Sequence, residues 1–485
     1  MPLSKVLSGI TISDYIGNLD TPVTGIAYDS RKVNPGDLFF ATPGFEIDGH
    51  KFIDAAIKRG AVAIVQEKTI SQTSKTTCIQ VPDVRSAMAL SSANYYNHPS
   101  RRLILIGVTG TDGKTSTCRI IHNIMSSYGS VGLMGTAGHI ILGRYLKASR
   151  TTPEAPEINR MLERLKKGGA YAAVMEVSSH ALTLNRTYGL DFDLAVFTNL
   201  GADHLDFHRD MEDYFLAKVK LFNDLKKNGC AVINLDDPWG ERLANESKHR
   251  VIGYSLKDRN VEAYGEIIYT GIEGIRMNVY YDNEIIDLYS PLIGIPNAYN
   301  ILAAVSVTLQ TKIGVDYIKN KISTFEGVSG RFQKINCGKF LSIIDYAHTP
   351  QAIENLLSTL RPLTKKSVRI VFGCGGNRDK TKRPKMGAAA EEGADWIYLT
   401  VDNPRREDPI DIIQDIIAGL KYPAKARVIL DRREAIFTSL NEAQEGDIVV
   451  IAGKGHEDYQ EIDNVFHHFD DKEEVESWLA KKDKR

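Results

Sequence analysis

Short apolar runs alternate along most of the chain with segments whose apolar residues recur at helical spacing. Near the N-terminus, the apolar runs 37–41 and 61–65 are separated by the helix-like segment 52–58. The pattern at 472–485 is amphipathic and predicts a terminal helix. Apolar runs of strand length between helical segments are typical of a mostly parallel sheet with helices on both faces. The pattern therefore predicts an α/β fold.

Polar turn residues divide this alternation into three sections. Residues 97–102 interrupt the pattern just before the strongest predicted strand, 103–108, and a new set of strands begins after 327–332. The other strands predicted after these two breaks are 172–175, 194–198, 231–234, 341–345, 368–372, 396–400 and 448–452. A chain of 485 residues is too long for one core and is expected to form about three domains. We predict a smaller N-terminal α/β domain at 1–99, a central doubly wound, mostly parallel sheet at 100–329 and a Rossmann-like α/β domain at 330–485.

The composition excludes several classes of partner. Hydrophobic residues make up 43% of the chain, charged residues 25%, and the formal net charge is −1, so no overall field would attract nucleic acid or an anionic membrane. We expect no targeting segment, and no apolar run is long enough to cross a bilayer. These features predict a cytoplasmic protein that neither binds nucleic acid nor inserts into a membrane. We also expect a monomer, although nothing in the sequence determines the oligomeric state. The five cysteines lack CxxC spacing, which favours buried free thiols over disulfides or a zinc cage.

A candidate phosphate-binding loop follows the strand 103–108. The loop residues are Thr109, Gly110, Thr111, Asp112, Gly113, Lys114, Thr115 and Ser116, and a helical pattern comes directly after them. Glycines let backbone N–H groups approach phosphates, Lys114 supplies charge, and the Thr115 hydroxyl is suited to a magnesium shell. Val108 stands where the general pattern has a glycine, and the alternative interpretation is a structural turn. The loop predicts ATP and Mg²⁺ as ligands.

Two further polar segments follow predicted strands of the same section. Glu176 comes directly after the strand 172–175, and a polar segment that ends at His208 begins at the end of the strand 194–198. Because parallel sheets bind ligands at the carboxyl ends of their strands, Glu176 is a candidate magnesium ligand. His204 and His208 are four residues apart, as in a zinc-binding helix, but no third ligand of matching spacing accompanies them.

Together with the phosphate loop, these segments resemble the central domain of the Mur ligases, which form amide bonds in peptidoglycan precursors. The short loop form Gly-Thr-x-Gly-Lys-Thr also resembles that of folylpolyglutamate synthetases. The resemblance implies that Glu176 holds one magnesium ion, that His204 holds a second, and that Lys218 is an N6-carboxylysine, a lysine carbamylated by carbon dioxide. An ammonium group cannot ligate a cation, whereas a carbamate can. The candidate catalytic residues are then Lys114, Glu176, His204, Lys218 and His348.

The resemblance also implies the rest of the nucleotide site. Asn300, in the segment 294–304, would contact adenine; a helix cap is the alternative, and it fits Asn297 better. Arg331 would neutralise phosphate, and Asp345 would bind the ribose hydroxyls. Since these last two residues lie in the third predicted domain, we expect the active site to form between domains and domain closure to gate it.

One motif discriminates among Mur ligases by the amino acid that they add. Asp402-Asn403-Pro404-Arg405 resembles the motif of ligases that add meso-2,6-diaminopimelate, whose arginine binds the distal carboxylate while a glycine and a glutamate receive the distal ammonium. Lysine lacks that carboxylate, and a pocket that leaves Arg405 unpaired would reject it by roughly 10⁴-fold. The alternative is that Asp402-Asn403-Pro404 is only a turn. The implied diaminopimelate-binding residues are Arg378, Asp402, Asn403, Arg405, Gly453 and Glu457.

The N-terminal segments 28–40 and 44–50 resemble the Mur ligase domain that holds UDP, which folylpolyglutamate synthetases lack. Leu184 departs from the family pattern, which has glutamine there, and this puts one polar contact to the substrate in question. The residues implied to contact the UDP-N-acetylmuramoyl dipeptide are Ser30, Thr151, Thr152, Ser178 and Arg186.

The implied activity is that of an ATP-dependent ligase that joins an acid to an amino acid and forms ADP and phosphate. The terminal carboxylate of UDP-N-acetylmuramoyl-L-alanyl-D-glutamate would become an acyl phosphate, and the amine of diaminopimelate would attack it. Three other interpretations compete: a folylpolyglutamate synthetase-like ligase, a P-loop kinase or NTPase that forms no amide, and an inactive scaffold. The scaffold is disfavoured by the intact residues Lys114, Glu176, His204 and Lys218.

Overall fold

The computed structural model describes residues 1–44, 47–70 and 76–482, and the chain divides into two compact units. Unit 1 consists of Met1–Gly265, Val279–Ile285 and Asn300–Lys321, and unit 2 consists of Glu266–Asn278, Ile286–Tyr299 and Ile322–Arg485. Phe45 and Glu46, within one predicted UDP-binding segment, and residues 483–485 of the predicted terminal helix lie outside the described residues. The domain boundaries at 99 and 329 remain predictions.

A mostly parallel sheet occupies the N-terminal part of unit 1. Its strands are β1 (Asp14–Ile16), β2 (Gly25–Ala27), β3 (Asp37–Phe40), β4 (Ala63–Gln66) and β5 (Thr77–Gln80), in the order β1-β5-β4-β3-β2. Neighbouring strands pair in parallel except β1 with β5. The accompanying helices are α1 (Leu3–Val6), α2 (Ile53–Lys58) and α3 (Val84–Tyr95). Leu38 and Phe39 enter different apolar clusters because successive side chains of a strand point to opposite faces.

A larger sheet carries the phosphate loop. Its strands in unit 1 are β6 (Ile104–Thr109), β7 (Val131–Met134), β8 (His139–Ile141), β9 (Arg144–Leu146), β10 (Ala172–Glu176), β11 (Phe192–Phe197), β12 (Leu225–Asn234), β13 (Arg250–Ser255) and the start of β14 (Ala263–Gly271). The helices along this part are α4 (Lys114–Met125), α5 (Ala155–Lys167), α6 (Ser179–Thr183), α7 (Met211–Asn223) and α8 (Pro238–Glu246). The strand order is β14-β13-β12-β11-β6-β10-β7-β8-β9, and these pairs are parallel except β7 with β8 and β8 with β9.

The strand β6 lies between β10 and β11, and this order explains where the site forms. The three strands are parallel, and their register pairs Val108 with Glu176 and Thr109 with Phe197. The chain therefore leaves all three strands at the same edge of the sheet. A change of direction in strand order leaves a crevice at the carboxyl ends, which is where α/β proteins bind ligands.

The chain then passes through the strands β15 (Gly274–Tyr281) and β16 (Glu284–Ser290) and the helices α9 (Ile295–Gln310) and α10 (Val315–Ser323). The sheet of unit 2 follows, with strands β17 (Gln333–Asn336), β18 (Leu341–Asp345), β19 (Val368–Phe372), β20 (Trp396–Leu399), β21 (Ala426–Val428) and β22 (Ile448–Ala452). The order is β17-β18-β22-β19-β20-β21, and all pairs are parallel except β17 with β18. The helices along it are α11 (Pro350–Leu360), α12 (Lys382–Gly393), α13 (Pro409–Ile417) and α14 (Arg432–Glu442).

A hairpin and a helix follow, and the helix packs onto this sheet through Val475 and Trp478. The hairpin pairs β23 (Tyr459–Ile462) with β24 (Val465–His468), and α15 (Asp471–Lys482) follows. Nε and Nη2 of the fully buried Arg432 donate to the Asp471 carboxylate at 2.7 Å, and Nη2 also donates to the carbonyl of Ala452 at 3.1 Å. This buried pair joins the first residues of α14 and α15 to the end of β22.

The predicted fold class is confirmed. The strands β18, β19 and β22 have the predicted bounds 341–345, 368–372 and 448–452. All five cysteines are buried thiols outside any disulfide, as predicted. Among the described residues, no helix combines the length and the apolar character that crossing a membrane requires.

Candidate active site

The phosphate loop is fixed by close approach of its backbone to neighbouring side chains. Gly110 and Gly113 have φ of 150° and 82°, in the region that favours glycine. A Cβ at Gly110 would overlap the Thr198 hydroxyl, and one at Gly113 would overlap the side-chain oxygen of Asn300. The Thr198 hydroxyl also donates to the Asp112 carbonyl at 2.6 Å. The end of β11 therefore clamps the loop that follows β6.

Lys114 begins α4 and curls back over the loop. Its Nζ donates to the carbonyls of Gly110 at 2.9 Å and Thr111 at 2.7 Å. The N-terminal end of α4 directs backbone N–H groups and the positive end of the helix dipole toward the same loop. The arrangement is suited to a polyphosphate.

Glu176 ends β10, is only 2% exposed, and accepts hydrogen bonds on both oxygens. Thr115 Oγ1 donates to Oε2 at 2.8 Å, and the backbone N–H of Thr136 donates to Oε1 at 2.8 Å. The described residues contain no cluster of three or more His, Cys, Asp or Glu side chains arranged for a metal. A carboxylate beside a hydroxyl fits Mg²⁺, which takes oxygen ligands and is often held by few protein groups together with phosphates and water.

Lys218 lies on α7 under the phosphate loop. Its side chain is 1% exposed, its Nζ donates to the carbonyl of Gly110 at 2.7 Å, and the same atom lies 4.3 Å from the centre of the Tyr214 ring. Burial first, and the charge of Lys114 second, hold the pKa of Lys218 well below its usual value. The structure thus brings Lys114, Thr115, Glu176 and Lys218 to one edge of the sheet.

His204 lies in an aromatic cluster next to this edge. Its ring centre is 4.9 Å from that of His180 and 6.1 Å from that of Tyr214, and the His180 ring stacks on Phe207 at 4.0 Å. His204 has φ of 55°, an uncommon conformation for a residue with a side chain. His208 is buried, and its Nδ1 lies 3.4 Å from Asp213, so the two histidines do not act as an equivalent pair.

Four of the predicted UDP-dipeptide contacts lie close to Glu176. The Thr152 hydroxyl donates to the Glu176 carbonyl at 2.8 Å and accepts from the Ser178 N–H at 3.0 Å. Thr151 Oγ1 accepts from Thr136 at 3.0 Å. Arg186 Nη1 donates to the carbonyl of Thr152 at 3.1 Å. These contacts place Thr151, Thr152, Ser178 and Arg186 in one group.

Two other positions of the predicted substrate site lie in different local settings. Ser30 is buried in a one-turn 3₁₀ helix between strands β2 and β3 of the N-terminal sheet. Leu184 is the C-terminal cap of α6, so an apolar side chain stands at that helix end.

Asn300, which was predicted to contact adenine, lies next to the phosphate loop. Its side-chain oxygen accepts from the Thr117 hydroxyl at 3.2 Å in a buried position.

Unit 2 places Arg331, Asp345 and His348 around one loop. Asp345 ends β18, and its two oxygens accept from the N–H groups of Phe332 and Ala347 at 2.8 Å. The Arg331 guanidinium lies 4.7 Å from the ring centre of Tyr346, and His348 Nδ1 is 2.8 Å from the Tyr346 carbonyl. Asp345 therefore connects the segment of Arg331 and Phe332, before β17, to the segment of Tyr346 and Ala347, after β18.

The predicted amino-acid site is a connected polar group in unit 2. Asn403 Nδ2 donates to Glu457 Oε2 at 3.0 Å, and the fully buried Lys454 donates to Asn403 Oδ1 and Glu457 Oε2 at 3.3 Å each. Gly453 has φ of 111°, and a Cβ there would lie 2.7 Å from an oxygen of Asp402. Burial raises the pKa of Glu457, and Lys454 opposes that rise. Asp402, Asn403, Gly453 and Glu457 are thus brought together.

The two predicted arginines flank Gly375. A Cβ at Gly375 would lie 3.1 Å from Arg405 Nη1 and 3.8 Å from Arg378 Cγ. Arg405 has φ of 54°, and its Nε donates to Glu461 Oε2 at 2.8 Å. Both arginines therefore border the same glycine-rich turn.

Sequence reasoning missed Thr136, Lys454 and Glu461. Thr136 follows β7, so a polar residue after a strand was the available signal. Lys454 stands between two residues that were assigned, Gly453 and Glu457. For Glu461 the sequence carries no signal, because its pairing depends on a contact 56 residues away.

Three family models match the chain in order. The model described as Mur ligase family, catalytic domain, matches residues 22–99; Mur ligase middle domain matches 108–308; and Mur ligase, glutamate ligase domain, matches 330–455. Each match falls within one of the three predicted domains.

Curated relatives match over nearly the whole length. The chain is 44% identical over 478 residues to the UDP-N-acetylmuramoyl-L-alanyl-D-glutamate--2,6-diaminopimelate ligase of Syntrophomonas wolfei, covering 97% of this chain and 98% of that protein. It is 44% identical over 469 residues to the protein of the same name from Gloeobacter violaceus, covering 96% of each.

Solved structures agree with these matches. A structure of a ligase with the same name has a TM-score of 0.71 and 35% identity, and the alignment covers 100% of this chain and 99% of the other. The MurF ligase of Thermotoga maritima in complex with ADP has a TM-score of 0.62 and 20% identity, covering 97% of this chain and 100% of the other, and shows the fold alone.

Proposed function

Because the chain belongs to the Mur ligase family, we propose that it catalyses the ATP-dependent addition of meso-2,6-diaminopimelate to UDP-N-acetylmuramoyl-L-alanyl-D-glutamate in peptidoglycan synthesis. The observation that carries the proposal is the connected polar group of Asn403, Lys454 and Glu457 near Arg405. Near-full-length identity to ligases of that name supports the same substrate. The protein acts on small molecules, and we propose that it does so as a cytoplasmic monomer.

The nucleotide half of the reaction belongs to the phosphate loop and its neighbours. Residues 109–116 would hold the phosphates of ATP, with Asn300 at adenine, Arg331 at phosphate and Asp345 at ribose. Magnesium held by Thr115, Glu176, His204 and a carbamylated Lys218 would supply positive charge to the phosphates. Lys114 would add its own charge, and fixed charge of this kind dominates the catalysis of phosphoryl transfer.

The acceptor half uses the residues beside Glu176. Ser30, Thr151, Thr152, Ser178 and Arg186 would bind the UDP-linked dipeptide. The γ-phosphoryl group of ATP passes to the terminal carboxylate of the dipeptide and gives an acyl phosphate and ADP. The amine of diaminopimelate then attacks the acyl carbon, phosphate leaves, and the amide forms without a protein nucleophile. His348 would assist this second step.

The amino-acid site accounts for the choice of diaminopimelate. Glu457 presents a carboxylate to the distal ammonium, and Lys454 and Asn403 hold that carboxylate in place. Arg405 presents a planar guanidinium to the distal carboxylate, the group that lysine lacks. The other proposed contacts are Arg378, Asp402, Asn403 and Gly453.

A phosphate-release assay tests the proposal. ATP, Mg²⁺ and the UDP-linked dipeptide are supplied with diaminopimelate, with lysine or with no amino acid, and the product is identified by mass spectrometry. We expect the tripeptide product with diaminopimelate. Turnover with lysine but not diaminopimelate would refute the proposed substrate, and release of phosphate without amino acid would indicate an NTPase. In a separate reaction that contains a folate and glutamate in place of these substrates, glutamate addition would indicate a folylpolyglutamate synthetase.

The variant Arg405→Ala tests the assigned arginine in the same assay. Because the distal carboxylate loses its cation, kcat/KM for diaminopimelate should fall by on the order of 10²- to 10³-fold, while KM for the UDP-linked dipeptide stays near normal. Arg406→Ala is the control, since Arg406 is the next residue and is exposed. Equal losses for both substrates would indicate that Arg405 has only a structural role.

A further inference from the structure

The guanidinium of Arg405 is already engaged within the protein. Its Nε donates to Oε2 of Glu461 at 2.8 Å, and its Nη1 donates to the carbonyl of Gly376 at 2.8 Å. The side chains of Arg405 and Glu461 are 21% and 17% exposed, respectively. Water and salt therefore screen this pair less than they screen a surface ion pair.

Main-chain bonds hold the pair in register. The N–H of Arg405 donates to the carbonyl of Glu461 at 3.0 Å, and the N–H of Asp463 donates to the carbonyl of Arg405 at 2.7 Å. The N–H of Glu461 donates to Asn403 Oδ1 at 2.9 Å. The hairpin β23–β24 is thus joined to the segment that carries Arg405, and Glu461 is held against Arg405 by main-chain bonds as well as by charge.

The nitrogens of Arg405 that donate within the protein belong to the edges along which a ligand carboxylate would bind. A carboxylate binds a guanidinium bidentately along one of two edges, Nε with Nη2 or Nη1 with Nη2. Glu461 accepts from Nε, which has a single N–H, and the Gly376 carbonyl accepts one of the two hydrogens of Nη1, so one nitrogen of each edge already donates within the protein. Glu461 carries the same functional group as the distal end of diaminopimelate. The two carboxylates would therefore compete for one cation.

We infer that Glu461 determines specificity: its carboxylate pairs with Arg405 in place of the distal carboxylate of diaminopimelate and so weakens discrimination against lysine. This inference rests on the proposed function. With lysine in the pocket, Arg405 keeps Glu461 as its partner, so the penalty for an unpaired guanidinium is not incurred in full. With diaminopimelate, the attraction of Arg405 is partly offset by repulsion between the two carboxylates.

The variant Glu461→Gln tests whether the Glu461 carboxylate competes with diaminopimelate for Arg405 or only orients the Arg405 side chain. It keeps the length of the side chain and an oxygen that accepts from Nε, but it removes the negative charge. We expect KM for diaminopimelate to fall by about threefold to tenfold. The ratio of kcat/KM for diaminopimelate over lysine should rise by a similar factor.

Asp463→Asn is the matched control. Asp463 is exposed in the turn of the same hairpin, its φ of 50° is one that asparagine tolerates, and the change also removes one negative charge. The ratio of kcat/KM for the two amino acids should not change in this variant. A rise equal to that of Glu461→Gln would mean that general charge is the cause, and would overturn the inference.

The remaining outcomes divide between the inference and the proposed function. If Glu461 only orients Arg405, Glu461→Gln should behave as the unmodified chain, and Glu461→Ala should lose activity with diaminopimelate; that pattern overturns the inference alone. If the unmodified chain turns over neither amino acid, the proposed function fails as well. Should Glu461→Gln not fold, as judged by circular dichroism, Glu461→Asp withdraws the carboxylate by one methylene and should raise the ratio by a smaller factor; an unchanged ratio there again overturns the inference.

Discussion

The buried amine of Lys218 illustrates how the fold prepares a residue for unusual chemistry. Its Nζ is enclosed by the Gly110 carbonyl and the Tyr214 ring and has almost no exposure to water. Burial first, and the neighbouring charge of Lys114 second, lower its pKa, so a larger fraction of the amine is neutral than for a lysine in water. Carbon dioxide reacts only with the neutral amine. The folded environment therefore favours the proposed carbamate.

We expect Lys218→Ala to reduce the rate of tripeptide formation by on the order of 10²- to 10³-fold, because a group that fixes charge near the phosphates is lost. The unmodified chain should lose activity in buffer free of carbon dioxide and regain it when bicarbonate is added. The measurement is the initial rate of product formation. Lys220→Ala is the control, since Lys220 lies on the same helix and is exposed. A rate that does not respond to bicarbonate would argue against carbamylation.

Single residues could be predicted from the sequence where they directly follow an apolar strand. Gly110 to Ser116 follow β6 in this way, and Thr109 and Glu176 are the last residues of β6 and β10. The partner of Arg405 could not be predicted, because Glu461 comes from a hairpin far along the chain. This partner changes the expected selectivity, since lysine would not leave Arg405 unpaired.

At the scale of elements, helix α7 ends at a carboxyl group whose ionised form is unfavourable in the folded chain. Asp224 caps this helix, where a carboxylate meets the negative end of the helix dipole. Burial first, and the charge of Asp191 second, raise the pKa of Asp224 from 3.8 to about 7. The protonated form therefore stabilises the folded chain below pH 3.8, and this contribution is lost as the pH rises toward 7.

Asp224→Asn should remove this dependence on pH. We expect the variant to be more stable than the unmodified chain by about 1 to 2 kcal/mol above neutral pH, and nearly equal to it near pH 4, because the partly exposed side chain retains some solvent screening. Denaturant melts of the full chain at both pH values measure the difference. Asp20→Asn, at an exposed loop position, is the control. A stability difference that is constant with pH would contradict the argument.

Elements buried on both faces were the ones that the sequence predicted best. The strand β10 is buried throughout, and its predicted bounds differ from the observed ones by one residue. The strand β12 begins at Leu225, well before the predicted bounds 231–234. Its first half was not predicted because Lys226 and Lys227 interrupt the run of apolar residues. The hairpin β23–β24 was not predicted, since β24 is exposed along its whole length and shows no alternation.

At the scale of the whole molecule, the proposed ligands address different parts of the chain. The phosphate loop and Glu176 belong to unit 1, whereas the amino-acid site belongs to unit 2. Arg331 and Asp345, which were assigned to the nucleotide by resemblance, also belong to unit 2. Hydrogen exchange can therefore test the assignments by ligand, because bound segments open less often.

With Mg²⁺ and a non-hydrolysable ATP analogue, we expect slower amide exchange at 109–116 and also at 330–347, by up to about 100-fold when the ligand is present at 100 times its Kd. Diaminopimelate alone should slow exchange only at 375–378, 402–405 and 453–462, because its proposed contacts all lie in these segments of unit 2. Arg405→Ala should lose the second effect and keep the first, so it serves as an internal control. If the nucleotide slows exchange only at residues of unit 1, Arg331 and Asp345 do not belong to the nucleotide site. The predicted domain 330–485 would then bind the amino acid alone.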